Sequence, residues 1–562
     1  MNFREWLKSK SEYLIAGAIV VCVLITAMIL CPPYYSMNDD VMMRSILSGG
    51  YTGTPDGHAV YMKYPLTGAL SLLYRVTNIV PWFDLFMVSC FVVAVTAVIV
   101  RVRRVLEPLK ERRVLTWGMM AGICILLFAL FLPQLFTLHY TLVAAMVGSC
   151  GLFLLLTGGG AISVVLLILC YCIRSQIFFL LLPFMLVVVL WNVLDKQYRP
   201  MCRYLIALVI GITVCMGWNG FMYRSSEWKA YAEYNDSRTI LYDYDKLLPY
   251  EENAEAFERI GISEQQHKLM DEYVLVLAQD VTPEMMSAAA ELTASKREAQ
   301  QNFTERLIYC IKEYYYHLRY NDTPYKIVFL CGCLAVLVLL VKKRQWLKAG
   351  LLGCMLGGRS LIWIYLIWRS RFPERIYVSL YFMDIMIFAG MFISLLRRGC
   401  VERKTDKQHT KWLCIGCGVL ISIVLLVTGI SQCVVMCGRA KTYARNHEEW
   451  TALTEYCREH PETNYLVDVY STVDYSGKVW ESIDDRENYL LAGGWMTKSP
   501  LLMERVKALK TENCGYIIAT DRNADWLFTY CEQRLNGVQI EKTDSISLGG
   551  KALFYVYRPI VD

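Results

Sequence analysis

The chain has 562 residues, of which 55% are hydrophobic and only 19% are charged, and its formal net charge is +6. Soluble proteins carry about 25% charged residues, so the composition argues against a soluble globular protein, and nothing in the sequence points to nucleic-acid binding. Apolar runs of about 17–22 residues recur, the length that crosses the hydrocarbon core of a bilayer. The sequence therefore predicts a polytopic α-helical membrane protein of the cell membrane.

About eleven spans are predicted, and each is a run of mainly apolar residues: 13–32, 82–100, 115–133, 138–157, 161–173, 177–192, 204–223, 325–341, 347–367, 378–396 and 412–433. Clusters of Lys and Arg lie between alternate spans, near residues 4–10, 101–113, 196–203, 342–344 and 397–404. Cytoplasmic loops concentrate these residues. We therefore expect a cytoplasmic N-terminus and an extracytoplasmic C-terminal segment.

One apolar stretch, 161–191, carries Arg174 in its middle. As a single helix it would be about 46 Å long, too long for a core of roughly 30 Å. A single crossing would also move every later basic cluster to the outside. We therefore predict a hairpin that turns at Arg174, with two arms that look short for full spans.

Three stretches are predicted to lie outside the cytoplasm. The first two are outer loops, 33–81 and 223–325, which together with the spans make up a multi-span domain of residues 1–436. The third, 437–562, alternates helical and strand patterns. Its predicted helices are 441–459, 501–510 and 525–535, and its predicted strands are 465–469, 516–519 and 552–557. This order predicts a small extracytoplasmic α/β domain.

The first outer loop should contain two short amphipathic helices. Asn38 is a good N-cap and Gly49 a good helix stop, so one helix is predicted between them. Its apolar face should lie on the membrane surface. A second helix follows Tyr64, and its predicted buried face consists of Leu66, Leu70, Leu73 and Val76.

Two adjacent carboxylates, Asp39 and Asp40, open the first of these helices. They could simply favour the helix N-terminus through its dipole. A cap needs only one carboxylate, however, and a second one at a membrane surface costs desolvation. The alternative is a general base beside a ligand for a divalent metal ion, and the spacing alone leaves both readings open.

The order of these features resembles the GT-C superfamily of membrane glycosyltransferases. It is most similar to the protein mannosyltransferase and aminoarabinose transferase branch, in which an acidic pair follows the first span. Arg174 at a break between short helices resembles a second feature of that branch. Arg375 and Tyr377, before the tenth span, resemble its Arg-Tyr element. The sequence departs from the family pattern because its acidic pair is Asp-Asp rather than Asp-Glu, and because Ile376 separates Arg375 from Tyr377.

The resemblance implies that a sugar passes from a polyprenyl-phosphate donor to an extracytoplasmic acceptor, which could be a cell-envelope glycan, lipid or protein. It assigns the catalytic carboxylate to Asp39, with Asp40 beside it. Arginine suits a phosphate because it stays charged and donates a bidentate fork, so the candidate phosphate ligands are Arg174, Arg371 and Arg375. Anchoring helix ends to lipid headgroups is the alternative role of these arginines.

Other polar and aromatic residues of the outer surface could bind the substrate. His58 could help to bind a metal or the acceptor, although an ordinary turn histidine fits the same sequence. Tyr377 belongs to the Arg-Tyr element. Tyrosines of the outer loops could stack on sugar rings or belong to the interfacial belt, and they are Tyr51, Tyr61, Tyr64, Tyr242 and Tyr244.

Two other classes of function remain open from the sequence. A polysaccharide or lipid transporter would show polar groups along a midplane pathway and often internal repeats; the sequence has few of the first and no evident repeat. A non-catalytic scaffold or sensor would use the C-terminal domain to bind a partner, and Asp39 would then be dispensable.

A last prediction concerns two charges inside predicted spans, Arg359 and Asp384. Charges in the hydrocarbon region are costly and usually pair or face a cavity. Counted at 1.5 Å per residue from the connecting loop, the two side chains lie at matched depths on adjacent helices. We therefore predict a salt bridge between them.

Overall fold

The computed structural model describes residues 3–107, 113–300, 302–320, 323–402, 408–481, 487–507, 514–535 and 538–560. The first half of the chain is almost entirely helical. Its helices are α1 (Phe3–Leu30), α2 (Asn38–Ser48), α3 (Tyr64–Val76), α4 (Trp82–Leu106), α5 (Arg113–Phe131), α6 (Pro133–Phe136), α7 (Tyr140–Thr157), α8 (Ala161–Ile173), α9 (Ser175–Leu194) and α10 (Tyr198–Met222). Two short parallel strands, β1 (Tyr34–Tyr35) and β2 (Thr137–Leu138), tie the first outer loop to the start of α7.

The second half begins with an outer helical layer and returns to the membrane. Its helices are α11 (Ser226–Thr239), α12 (Tyr250–Arg259), α13 (Glu264–Asp271), α14 (Pro283–Gln300), α15 (Phe303–Tyr320), α16 (Thr323–Lys342), α17 (Trp346–Trp368), α18 (Glu374–Glu402), α19 (Gln408–Glu459), α20 (Pro500–Lys507) and α21 (Asp525–Arg534). A π-helical turn, Ile240–Tyr244, continues α11.

Within the described residues, ten helices are long and apolar enough to cross a membrane, and α8 is a shorter apolar helix. The prediction of a polytopic helical membrane protein is therefore confirmed. The side chains of the basic clusters near 4–10 and 397–404 lie outside the described residues, as do part of those near 101–113. The orientation of the spans stays a prediction.

The hairpin at Arg174 is present. Helix α8 ends at Ile173 and α9 begins at Ser175, while Arg174 between them is extended, with φ −150° and ψ 98°. The second arm is longer than the sequence predicted, because α9 runs through Pro183 and has 20 residues. That length, about 30 Å, is enough to span by itself.

The C-terminal part folds as a five-stranded mixed sheet with helices. Its strands are β3 (Tyr465–Val467), β4 (Tyr489–Leu491), β5 (Gly515–Ala519), β6 (Ile540–Leu548) and β7 (Lys551–Pro559), in the order β4-β3-β5-β7-β6. The predicted α/β architecture is confirmed, but the sequence reading missed β4 and β6. The first has only three residues, and the second buries only Ile540 and Ile546 among polar residues, so neither shows a strand pattern. Because α19 is continuous to Glu459, the predicted domain boundary at 436/437 lies inside a helix.

The two helices of the first outer loop form as predicted, with three corrections. The N-cap of α2 is Met37 rather than Asn38, whose Nδ2 instead donates to the carbonyl of Val473 at 3.2 Å. Helix α2 is largely buried beneath C-terminal segments rather than lying on an open membrane surface. In α3 only part of the predicted face is inside, since Leu70 is buried while Val76 is 81% exposed. The predicted stop at Gly49 is confirmed by its left-handed conformation, with φ 93°.

The predicted intramembrane salt bridge is confirmed. Arg359 Nε lies 2.5 Å from Asp384 Oδ2, and both side chains are almost completely buried. The guanidinium of Arg359 also lies over the rings of Trp363, at 4.2 Å, and Phe329, at 4.5 Å. Pairing and aromatic contact together offset the cost of a charge in the hydrocarbon region.

Candidate active site

The acidic pair is placed by the short parallel pairing of β1 with β2. Tyr35 pairs with Leu138, and the backbone N–H of Ser36 donates to the Leu138 carbonyl at 3.0 Å. This register brings the first turn of α2 against the first turn of α7. The Tyr140 backbone N–H then donates to Asp40 Oδ1 at 3.0 Å, so Asp40 caps α7 across the interface.

Asp40 is fully buried beside His139. Its Oδ2 lies 3.6 Å from His139 Nδ1, which already accepts the N–H of Thr141 at 3.1 Å. Burial raises the pKa of Asp40 well above its ordinary value. This carboxyl group is therefore held towards its neutral form. This environment suits a structural carboxyl group.

Asp39 differs because its side chain is only half-buried. Burial raises its pKa, while the positive charges of Arg174 and Arg375 act in the opposite direction. Asp39 is thus the accessible member of the pair, and two cations that the sequence reading had singled out face it.

Arg174 is positioned by the break between α8 and α9. Its guanidinium donates a hydrogen bond to the Tyr140 hydroxyl, and its Cζ lies 5.0 Å from the ring centres of both Tyr61 and Tyr140. The guanidinium is fixed between two aromatic faces beside the acidic pair. A planar cation held in this way is preorganised for an anion.

Arg375 is the second residue of α18 and is half-buried. Its positive charge acts on Asp39, Asp40 and His139. Among the residues that the structure describes, no carboxylate or hydrogen-bond acceptor pairs with its guanidinium. A half-buried arginine that pairs with none of the described residues, next to a catalytic candidate, is available to an anionic ligand.

Arg371 is linked to the surroundings of Asp39 by Asp243, a carboxylate of the outer helical layer. Its Nη2 lies 3.1 Å from Asp243 Oδ2, and its Cζ lies 4.5 Å from the ring centre of Tyr244. Asp243 also lies 3.8 Å from Arg238, and both of these charges act on Asp39. Arg371 is therefore already paired, which makes it a weaker phosphate candidate than Arg375.

His58 and Tyr377 occupy packed surroundings. His58 Nδ1 lies 2.7 Å from Asp56 Oδ1, and its ring stacks on Trp228 at 4.7 Å. This arrangement agrees with the alternative of an ordinary turn histidine. Tyr377 is 9% exposed, and its ring lies 5.5 Å from that of Phe372.

The C-terminal domain adds a residue that the sequence reading missed. The indole of Trp495 lies 4.7 Å from the ring of Tyr61, which itself contacts Arg174. The Tyr231 hydroxyl donates to the Trp495 carbonyl at 2.7 Å. Trp495 is separated from Tyr61 by more than four hundred residues, so no local pattern could have placed it at the site. Tyr61, by contrast, was among the predicted tyrosines.

A metal site is not evident in the described part of the chain, which holds no group of three or more His, Cys, Asp or Glu residues with suitable geometry. The acidic pair supplies two carboxylates, of which one is engaged by the Tyr140 N–H. The described residues place one accessible carboxylate, Asp39, beside two arginines, Arg174 and Arg375.

Comparison with known proteins adds one likeness. No family model and no curated protein matches the chain. Among solved structures, the chain is similar to the crystal structure of ArnT from Cupriavidus metallidurans bound to undecaprenyl phosphate. The likeness covers 99% of this chain and 98% of that one, at 9% identity and a TM-score of 0.37.

Proposed function

We propose that this protein is a membrane glycosyltransferase that moves a sugar from a polyprenyl-phosphate carrier to an acceptor outside the cytoplasm. The observation that supports the proposal is the convergence of an accessible carboxylate, Asp39, with two arginines, Arg174 and Arg375. These are the groups that the reaction needs, because a hydroxyl must lose a proton while a phosphate leaves.

In the proposed reaction, an acceptor hydroxyl oxygen forms a bond to the anomeric carbon of the sugar. The bond between that carbon and the phosphate oxygen breaks, and the phosphate leaves with the electron pair. Asp39 takes the hydroxyl proton as general base, a role that contributes about 10²–10⁴ in rate. Arg375 and Arg174 stabilise the charge that develops on the leaving phosphate.

Asp39 and Asp40 have different roles in this proposal. Asp40 is buried, is held towards its neutral form and caps α7, so it positions the loop. Asp39 is the more accessible of the two, and burial raises its pKa less strongly than that of Asp40, so Asp39 is the more readily ionised. A base must be ionised before it can take a proton, which favours Asp39 over Asp40 in this role.

The test uses the purified full chain in nanodiscs with radiolabelled polyprenyl-phosphate sugars and a cell-envelope extract as acceptor. We expect transfer by the wild type, and a loss of about 10²–10⁴ in Asp39→Asn. The matched variant Asp40→Asn keeps an oxygen for the Tyr140 N–H and should retain most of the activity. Treatment with EDTA should leave the wild-type rate unchanged if the site acts through its arginines.

Two outcomes would contradict the proposal. Wild-type transfer by Asp39→Asn would remove the proposed base. An absence of transfer by the wild type with every carrier sugar, together with movement of the carrier lipid between leaflets, would favour a transporter instead.

A further inference from the structure

Arg44 lies on α2, five residues after Asp39, and is 5% exposed. Its guanidinium contacts parts of the chain that are distant in sequence. Nη1 donates to the carbonyl of Lys478 at 2.9 Å and lies 3.5 Å from Asp84 Oδ2, while Nη2 lies 3.3 Å from Glu481 Oε2. Asp84 belongs to the first turn of α4. One side chain therefore joins α2, a transmembrane helix and the C-terminal region.

Asp84 is the other centre of this network and is fully buried. It accepts a hydrogen bond from the Tyr35 hydroxyl and another, at 3.0 Å, from the backbone N–H of Trp480. The carboxylate thus binds the loop before α2 on one side and the C-terminal region on the other. Removing it would release both contacts together.

The C-terminal residues in this network form a short segment, 476–481, which we call the strap. The strap pairs with the loop that precedes α2: the Tyr35 N–H donates to the Gly477 carbonyl at 2.9 Å, and the Val479 N–H donates to the Pro33 carbonyl at 3.1 Å. A Cβ at Gly477 would lie 2.8 Å from Val41 Cγ2. The strap therefore lies directly against α2, with no room for a side chain.

A buried ion pair is weak evidence for stability, because the cost of desolvation offsets much of the attraction. What this network supplies is a fixed geometry, since the guanidinium is a rigid planar group whose Nη1 contacts both the strap and Asp84 while its Nη2 contacts Glu481. Arg44 lies a little more than one turn after Asp39, so these contacts constrain the same helix that carries Asp39. A shift of about 1 Å in a catalytic group can cost about 10²-fold in rate.

We propose that Arg44 is a positioning residue through which the strap of the C-terminal domain holds Asp39 in its reactive place. The proposal rests on the proposed function in one respect, the role of Asp39 as base. It assigns the C-terminal domain a part in catalysis even though the strap need not touch the reacting atoms.

The test compares Arg44→Met, the conservative Arg44→Lys and the milder Glu481→Gln, whose side chain is 35% exposed in the wild type. The control is Lys348→Met, because Lys348 forms a similarly buried ion pair with Asp195 between α17 and the end of α9. We expect Arg44→Met to lower kcat by about 10–100-fold with the donor KM changed by less than about threefold, since substrate binding is not the function assigned to Arg44. The kcat values of Arg44→Lys and Glu481→Gln should lie between those of Arg44→Met and the wild type. Lys348→Met should keep the wild-type kcat.

Hydrogen exchange provides a second measurement that needs no activity. The amides of Asn38–Ser48 should exchange faster in Arg44→Met and Glu481→Gln than in the wild type, and not in Lys348→Met. Unchanged exchange in α2, or a kcat loss that is as large in Lys348→Met, would overturn the positioning role. If the wild type transfers no sugar but the exchange pattern appears, the proposed function fails while the mechanical coupling stands.

Discussion

At the scale of single residues, the contrast between Asp39 and Asp40 comes from their surroundings. The two carboxylates are chemically identical and adjacent, yet one is half-buried among arginines and the other is fully buried as a cap of α7. Burial in a medium of low polarity penalises the charged form of a carboxyl group. The free energy of unfolding should therefore depend on pH through Asp40.

Asp40→Asn tests this dependence. The folded-state pKa of Asp40 is raised by burial above its unfolded value, so the native state binds more protons than the unfolded state. The stability due to the neutral carboxyl group is present at acid pH and is lost as the pH rises through the folded-state pKa. Asn does not titrate. We therefore expect the difference in melting temperature, Asp40→Asn minus wild type, to increase as the pH rises from about 4, near the unfolded-state pKa of Asp, to about 8. Thermal unfolding at several pH values measures it, and a difference independent of pH would contradict the buried, neutral Asp40.

The sequence could identify this pair but could not divide its roles. The partner of Asp40 is the backbone N–H of Tyr140, a hundred residues away. The half-exposure of Asp39 depends on packing between several helices. Neither quantity is encoded in a local pattern, so the spacing alone left Asp39 and Asp40 equivalent.

At the scale of secondary structure, long periodic elements were predictable and short or covered ones were not. The apolar runs and the break at Arg174 follow from length and hydrophobicity, which the bilayer constrains strongly. The prediction that α2 lies on the membrane surface was wrong. The strap covers one face of this helix, and no local sequence pattern shows that contact. In α3 the exposed Val76 agrees with a helix whose apolar face meets lipid rather than protein.

The Arg359–Asp384 pair between α17 and α18 gives a prediction at this scale. Arg359→Leu or Asp384→Leu alone leaves a lone buried charge and should destabilise by about 3–5 kcal/mol. The double variant removes both charges and should be more stable than either single variant. The exposed pair Arg439–Glu374 is the control, since breaking it should cost at most about 1 kcal/mol. Thermal unfolding of the wild type, the three variants and the control in one detergent decides the matter. A double variant no more stable than the worse single variant would mean that the charges have other partners.

At the scale of the whole molecule, the C-terminal domain packs against the membrane body beside the acidic pair. The domain supplies the strap over α2 and places Trp495 against Tyr61. Its existence and α/β character were predictable from alternating patterns, but its docking was not, because even the contact between Trp480 and Asp84 joins residues 396 positions apart. A site built in this way needs the domain and the acidic loop on the same side of the membrane.

That requirement agrees with the charge distribution and leads to a prediction about topology. Five basic clusters lie between alternate spans, which favours a cytoplasmic N-terminus, and the hairpin at Arg174 preserves this parity. The exposed strand β6 should then lie outside the cytoplasm, and the turn between α16 and α17 inside. We expect Ser547→Cys to react with a membrane-impermeant maleimide in intact cells, and Arg344→Cys to react only after permeabilisation. Both positions are exposed in the structure, so accessibility of the side chain is matched. The parent chain, whose Cys457, Cys514 and Cys531 are buried, gives the background. Labelling of Arg344→Cys but not Ser547→Cys in intact cells would show that the topology is the reverse of the predicted one. The acidic pair, the strap and the proposed transfer would then lie on the cytoplasmic face.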